Sequence, residues 1–271
     1  MAADWEIDVL PEMPKLAPYS LSACIEWQFP EAGPLEDRVR AANAAGLSAA
    51  EFHLWRDKDL GAIAAALDET GMVLTGVCVD PRRSIVDPAE RAEMVAAVAE
   101  TIEATAPLGK PPLIVASGFR VEGLSEEEHF ANAVAALKEA AAKAEEAGVM
   151  LLLEPLNTQL FAAMYLVSTK LGLDLVEAVG SPNLRLLYDV WHSAVMGEDM
   201  AEVLAGRAHH VAHVQYADMP DRKEPGTGTL DWAQVTGTLK DLGYEGAIGL
   251  ECFPSLPAEE SLKLARDTLG L

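Results

Sequence analysis

Thiols are scarce in this chain: Cys24, Cys78 and Cys252 are the three cysteines in 271 residues, and no two form a C-x-x-C pair. Each lies in an apolar run, as buried free thiols do in a reducing compartment. No window reaches the roughly 18 consecutive apolar residues that a membrane span needs. The first 15 residues lack both a basic start and a long apolar stretch. They are therefore not expected to be a signal peptide, and residues 1–17 read as a short lead-in. Cations are few as well: 20 Lys and Arg against 43 Asp and Glu give a net charge of −23. That field repels polyanions, so nucleic acid is not expected as a partner. Many of the acids, such as Glu126, Glu127, Glu128, Glu145 and Glu146, fall on helix faces where they serve solubility. These absences together point to a cytoplasmic protein with no membrane partner.

What is present is a rhythm. Eight short apolar runs, residues 19–25, 49–54, 73–79, 113–116, 150–153, 184–189, 211–215 and 247–251, alternate with alanine-rich helical patterns. Uniformly apolar runs suit parallel strands covered on both faces. Helix ends are legible too. Ser125 with Glu128 makes a capping box, and Gly46, Gly71 and Gly148 stop helices. Asp87 followed by Pro88 reads as the start of a helix reaching about residue 106, and Asp231 as the cap of one ending near Gly243. Eight β-then-α units predict an α/β chain forming a single (β/α)8 TIM barrel over residues 18–271. A Rossmann fold would need an early G-x-G-x-x-G, and Gly226-Thr227-Gly228 stands late and alone.

In such a barrel chemistry sits where strands end. Four successive runs end in Glu154, Asp189, Gln215 and Glu251. A carboxylate in an apolar setting costs several kcal/mol unless it is paired, hydrogen-bonded or metal-bound. Three carboxylates and an amide would point into one mouth, where the three negative charges repel unless a cation lies between them, and oxygen ligands favour Mg2+ or Mn2+. His192, three residues past Asp189, is expected to bind substrate beside that metal. His53 could line the mouth, and His213 faces inward in a deeper layer, where a hydrogen-bonded core role is at least as apt. His209 and His210 fall at the opposite end, and His129 on a helix surface. Trp27, Trp55 and Trp191 lie near strand ends and could wall a pocket. Arg222 and Lys223 follow the seventh strand in a turn-rich loop, and an arginine there can clamp a carboxylate.

At these residues the chain resembles the xylose-isomerase-like barrels, and within them the hydroxypyruvate isomerase branch. The resemblance is carried by Leu153-Glu154-Pro155-Leu156-Asn157, by Tyr188-Asp189-Val190-Trp191-His192, and by His213-Val214-Gln215-Tyr216-Ala217-Asp218 running into Asp221-Arg222-Lys223-Glu224-Pro225-Gly226-Thr227-Gly228. Gly249-Leu250-Glu251 completes it. It implies that Glu154, Asp189, Gln215 and Glu251 bind one divalent metal. It also implies that Glu154 and Glu251 act as the acid/base pair and that His192 and Arg222 hold a small hydroxy-oxo acid or sugar. The implied reaction is proton transfer through an enediolate, on hydroxypyruvate or a 2-oxo-tetronate. Ketose 3-epimerases and inosose dehydratases share the same first step, and a non-catalytic binding barrel would lack one of the four strand-end ligands. Related three-zinc endonucleases need histidines that the third and fourth strand ends, Val79-Asp80-Pro81 and Ala116-Ser117-Gly118, do not supply. Relatives often carry histidine where this chain has Lys223. Association into a homo-oligomer is compatible with the sequence.

Overall fold

The computed structural model describes residues 13–271. The expected lead-in therefore lies mostly outside the described residues. In the first half strands and helices alternate: β1 (Leu21–Cys24), α1 (Leu35–Ala44), β2 (Ala49–Phe52), α2 (Leu60–Thr70), β3 (Val73–Cys78), α3 (Arg91–Thr105), β4 (Leu113–Val115) and α4 (Glu126–Ala147). The second half has β5 (Leu151–Leu153), α5 (Thr169–Val179), β6 (Leu184–Asp189), α6 (Val190–Val195), α7 (Met200–Val203), β7 (Val211–Tyr216), α8 (Trp232–Asp241), β8 (Ile248–Leu250) and α9 (Ala258–Leu269). Each strand pairs in parallel with the next, and β8 pairs with β1, closing a single (β/α)8 barrel. Among the described residues no helix is long and apolar enough to cross a membrane.

Both faces of the strands are covered, which is why they read as unbroken apolar runs. The larger core lies between strands and helices and holds residues such as Phe52, Leu113, Leu151, Leu153 and Leu186. A smaller one, of Cys78, Ile114, Met150, Leu152 and Leu187, fills the barrel itself, with Met13 packed against it. All three cysteines are free and buried. The capping box at Ser125 and Glu128 is present in full, and Gly71 and Gly148 end their helices in left-handed backbone. Two expectations differ. The helix expected from Asp87 begins at Arg91, because the Asp87 side chain accepts the amide of Ala89 and spends itself on a tight turn first. His129 is buried rather than exposed: Val121 N donates to its Nε2, and its ring stacks on Tyr165.

Above the apolar plug the barrel interior turns polar. Glu51, a β2 residue, is 2% exposed. His213 Nε2 donates to its Oε2 at 2.8 Å, Gln215 Nε2 to its Oε1 at 2.8 Å, and Thr75 Oγ1 to its Oε2 at 3.2 Å. Gly249 on β8 makes this room: a Cβ there would stand 2.7 Å from both Glu51 oxygens and 3.0 Å from Gln215 Cγ. Gly249→Ala is therefore expected to lower the unfolding free energy by about 1–3 kcal/mol, the usual range for overpacking. Loss of the cap in Ser125→Ala should cost about 1 kcal/mol. Denaturant titration measures both, and wild-type stability in Gly249→Ala would contradict the packing described here.

Candidate active site

Glu154, Asp189, Gln215 and Glu251 stand at the carboxyl ends of β5 to β8, all at least nine-tenths buried. Parallel register explains their company: Asp189 is the partner of Gln215 across β6 and β7, and Gln215 of Gly249 across β7 and β8. Glu154, Asp189 and His192 bring ligand atoms within 4.8 Å of one another, while Glu251 groups with His53 and Cys24. Arg222 joins the two groups. Its Nη2 donates to Asp189 Oδ2 at 2.9 Å and to Glu251 Oε2 at 2.6 Å. The guanidinium lies between the rings of Trp27 and Trp191, 5.3 and 4.8 Å from their centroids.

Orientation is fixed from behind. The Gln215 amide nitrogen is held by Glu51, so its Oε1 faces the other way, buried and without a hydrogen-bond partner. The Leu160 amide donates to Asn157 Oδ1, which makes Asn157 Nδ2 the donor to His192 Nδ1 at 2.9 Å. The His192 proton then sits on Nε2, 3.7 Å from Glu154 Oε1 and 3.6 Å from Asp189 Oδ2. His53 Nε2 donates to Glu251 Oε1 at 2.9 Å. Asp189 Oδ1 caps α6 by accepting from the amides of Trp191 and His192.

Burial and like charge set the protonation states. Burial pushes Glu154 well above the usual carboxylate range, and the neighbouring Glu251 and Asp189 charges add to the effect. Burial likewise lifts Asp189 to about 7, against the pull of Arg222 and of two backbone amides. Burial also acts on Glu251, but there the Arg222 guanidinium and the His53 hydrogen bond outweigh it and hold the group down at about 2. His192 is pushed down to about 3 by burial and by Arg222, and stays neutral.

The loop after β7 is tied at several points. Asp218 accepts the amides of Gly226, Gly228 and Leu230 and the indole N–H of Trp232. Buried Glu224 accepts the amide and hydroxyl of Ser255. Between them Arg222 adopts φ 56° and turns into the mouth. Left-handed backbone costs a non-glycine residue roughly 1–2 kcal/mol, which these ties offset. Lys223 is not brought to the site: its side chain is 42% exposed and lies 3.7 Å from Asp221.

Above lies a cavity of about 850 Å3, lined among others by Trp27, His53, Glu154, His192, Arg222 and Glu251. Asp189 and Gln215 lie beneath its lining. Trp55 faces elsewhere and donates to Thr101 Oγ1. The donor set fits a hard divalent cation: three carboxylates that repel one another, and an amide oxygen buried with nothing to bind. Sequence reasoning missed Glu51 and Asn157, the two side chains that aim Gln215 and His192. Asn157 stood inside the quoted Glu154-Pro155-Leu156-Asn157 run. Glu51 gave one signal, a lone acid within an apolar strand.

Comparison with known proteins agrees with this geometry. The sequence profile of the xylose isomerase-like TIM barrel family matches residues 39–268. Hydroxypyruvate isomerase of Escherichia coli is 30% identical over 176 residues, covering 65% of this chain and 68% of that protein. 2-Oxo-tetronate isomerase of Cupriavidus necator is 27% identical over 241 residues, covering 86% of this chain and 90% of that one. A solved structure from Brucella melitensis, named as an AP endonuclease of family 2, superposes with a TM-score of 0.83 at 27% identity, covering 90% of this chain and 96% of that one. The chain belongs to the xylose isomerase-like TIM barrel family, and it is an isomerase within it.

Proposed function

We propose that the substrate is a short hydroxylated 2-oxo acid, hydroxypyruvate or a four-carbon 2-oxo-tetronate, and that the reaction is a 1,2-proton transfer aided by one divalent cation, Mg2+ or Mn2+. The observation that carries the reading is three buried carboxylates, Glu154, Asp189 and Glu251, at the ends of the strands beside and flanking that of Gln215, whose buried Oε1 has no hydrogen-bond partner. The names of the E. coli and Cupriavidus relatives support the substrate class. The absence of histidine from the third and fourth strand ends and the net charge of −23 weigh against phosphodiester chemistry on nucleic acid.

Glu154, Asp189, Gln215 and Glu251 would hold the cation, which when bound polarises the substrate carbonyl and stabilises the oxyanion. The chain's own residues handle the proton. Glu154 on the β5 side and Glu251 on the β8 side flank the mouth and form an acid/base pair. One carboxylate removes a proton from the hydroxymethyl carbon of hydroxypyruvate, giving an enediolate. Delivery of a proton to the neighbouring carbon then gives tartronate semialdehyde. Neutral His192, with its proton on Nε2, donates a hydrogen bond to a substrate oxygen. His53 keeps Glu251 oriented and touches substrate from the β2 side. Arg222, wedged between Trp27 and Trp191, bridges Asp189 and Glu251, offsets their mutual repulsion and contacts a substrate oxygen. The tryptophan and phenylalanine at the rim, Trp27 and Phe253, with ring centroids 4.2 Å apart, exclude water on that side.

Glu154→Gln and Glu251→Gln are each expected to lower kcat on hydroxypyruvate by about 10^2–10^4-fold, the usual worth of a positioned proton-transfer group. Retention of more than a tenth of wild-type turnover in both would contradict the acid/base assignment. Turnover in deuterium oxide should place solvent deuterium on the carbon that accepts the proton. Product that carries none, at every extent of reaction, would point to hydride shift.

A further inference from the structure

The cavity is far larger than the polar centre at its floor, and its lining includes four arginines, Arg82, Arg83, Arg120 and Arg222. Three are committed. Arg83 Nε donates to Glu93 at 2.7 Å, Arg120 pairs with Glu126, and Arg222 with Asp189 and Glu251. Arg82 makes no ion pair with a carboxylate among the described residues. It lines the cavity together with Cys78, the last residue of β3, which belongs to the apolar cluster inside the barrel. Arg82, an exposed residue in the loop after β3, lines the same cavity as Glu154 and Glu251.

The segment that carries Arg82 is pinned on both sides. Before it, Asp80 Oδ2 accepts from Arg56 N at 3.0 Å, and Asp80 N donates to Thr101 Oγ1 at 3.1 Å. After it, Ser84 N donates to Glu90 Oε2 at 2.8 Å, and Ser84 Oγ accepts the amides of Val86 and Asp87. Gly118 in the loop after β4 closes on the same place: a Cβ there would fall 2.2 Å from Ser84 Oγ and 2.8 Å from Ser84 Cα. Arg82 thus rises from a fixed backbone into an open cavity, with a planar fork of donors that no protein carboxylate fills. That fork matches a carboxylate in bidentate fashion, and its fixed base lowers the ordering cost of the contact. Arg222 suits the same task less well, since the nitrogen it turns to the site is shared by two carboxylates.

We propose that Arg82 receives the carboxylate of the substrate, and that this contact selects short 2-oxo acids over neutral sugars. The inference rests on the isomerase reading above: a carbonyl lying between Glu154 and Glu251 leaves the adjoining carboxylate on the β3 side, under Arg82. Arg82 is a binding residue here, so its loss falls on affinity more than on the chemical step.

The test uses D-glycerate, a carboxylate that cannot isomerise, titrated calorimetrically into the full-length protein with Mg2+ present. In Arg82→Met the dissociation constant for D-glycerate should rise about tenfold or more, as expected for loss of a charge-assisted contact. Arg82→Lys should recover part of it. With hydroxypyruvate, KM should rise by a similar factor while kcat changes far less. The kcat/KM for hydroxypyruvate should also fall about tenfold relative to that for D-glyceraldehyde. An Arg82→Met protein that melts like the wild type and binds D-glycerate equally well would overturn the proposal, as would an equal loss on both substrates. If the wild type fails to isomerise hydroxypyruvate but still binds D-glycerate through Arg82, the carboxylate site stands and the isomerase reading falls.

Discussion

Buried negative charge is the constraint on which this structure turns. Glu51, Glu154, Asp189 and Glu251 all lie inside or just above the barrel, each 8% exposed or less. Carboxylates so placed must find donors, a cation or a proton. Each answers differently. Glu51 takes three donors, from His213, Gln215 and Thr75. Glu251 takes His53 and Arg222, Asp189 takes the start of α6 and Arg222, and Glu154, with no hydrogen bond of that strength, is pushed toward its neutral form. The Glu51 solution reaches furthest. By holding the Gln215 nitrogen it dictates where the Gln215 oxygen points, and it can fit only because residue 249 is glycine. A packing requirement on β8 thereby sets the direction of a polar atom on β7.

The same logic extends into the loops. The Arg-Lys-Glu-Pro-Gly-Thr-Gly stretch after β7 reads as a binding motif, yet most of it is support. Asp218 gathers amides from Gly226, Gly228 and Leu230, and Glu224 fastens the loop to Ser255 beyond β8. One side chain of the stretch, Arg222, enters the mouth. Its left-handed backbone turns it inward while Lys223, its neighbour, remains near the surface beside Asp221. Strain at a single residue is held by many ordinary hydrogen bonds, a recurrent arrangement at functional sites.

Much of the barrel was legible because parallel strands buried on both faces leave continuous apolar runs, and polar residues at their ends then stand out. All eight strands fall within a residue or two of the runs that announced them. Glu154, Asp189, Gln215 and Glu251 were visible for that reason. The residues that aim them were not. Glu51 sits in Ala49-Ala50-Glu51-Phe52, too short a run to reveal which face is which, and two of its three partners, His213 and Gln215, are more than 160 residues away in the chain. His129 looked exposed because three glutamates precede it, but one helical turn carries it onto Tyr165 and the loop at Val121. Asp87-Pro88 has the chemistry of a helix start, and the local turn at Ala89 claimed it. Arg82 gave no sequence signal, since its meaning lies in the partners that the other arginines have and it lacks.

The central claim is that the strand-end oxygens of Glu154, Asp189, Gln215 and Glu251 act together on one cation. Titration of Mn2+ into chelator-stripped protein, followed by electron paramagnetic resonance, tests it most directly. The account predicts one tightly bound ion per chain, with affinity reduced at least about tenfold in Gln215→Leu and in Asp189→Asn. Absence of bound Mn2+ in the wild type, or binding that neither substitution weakens, would contradict it.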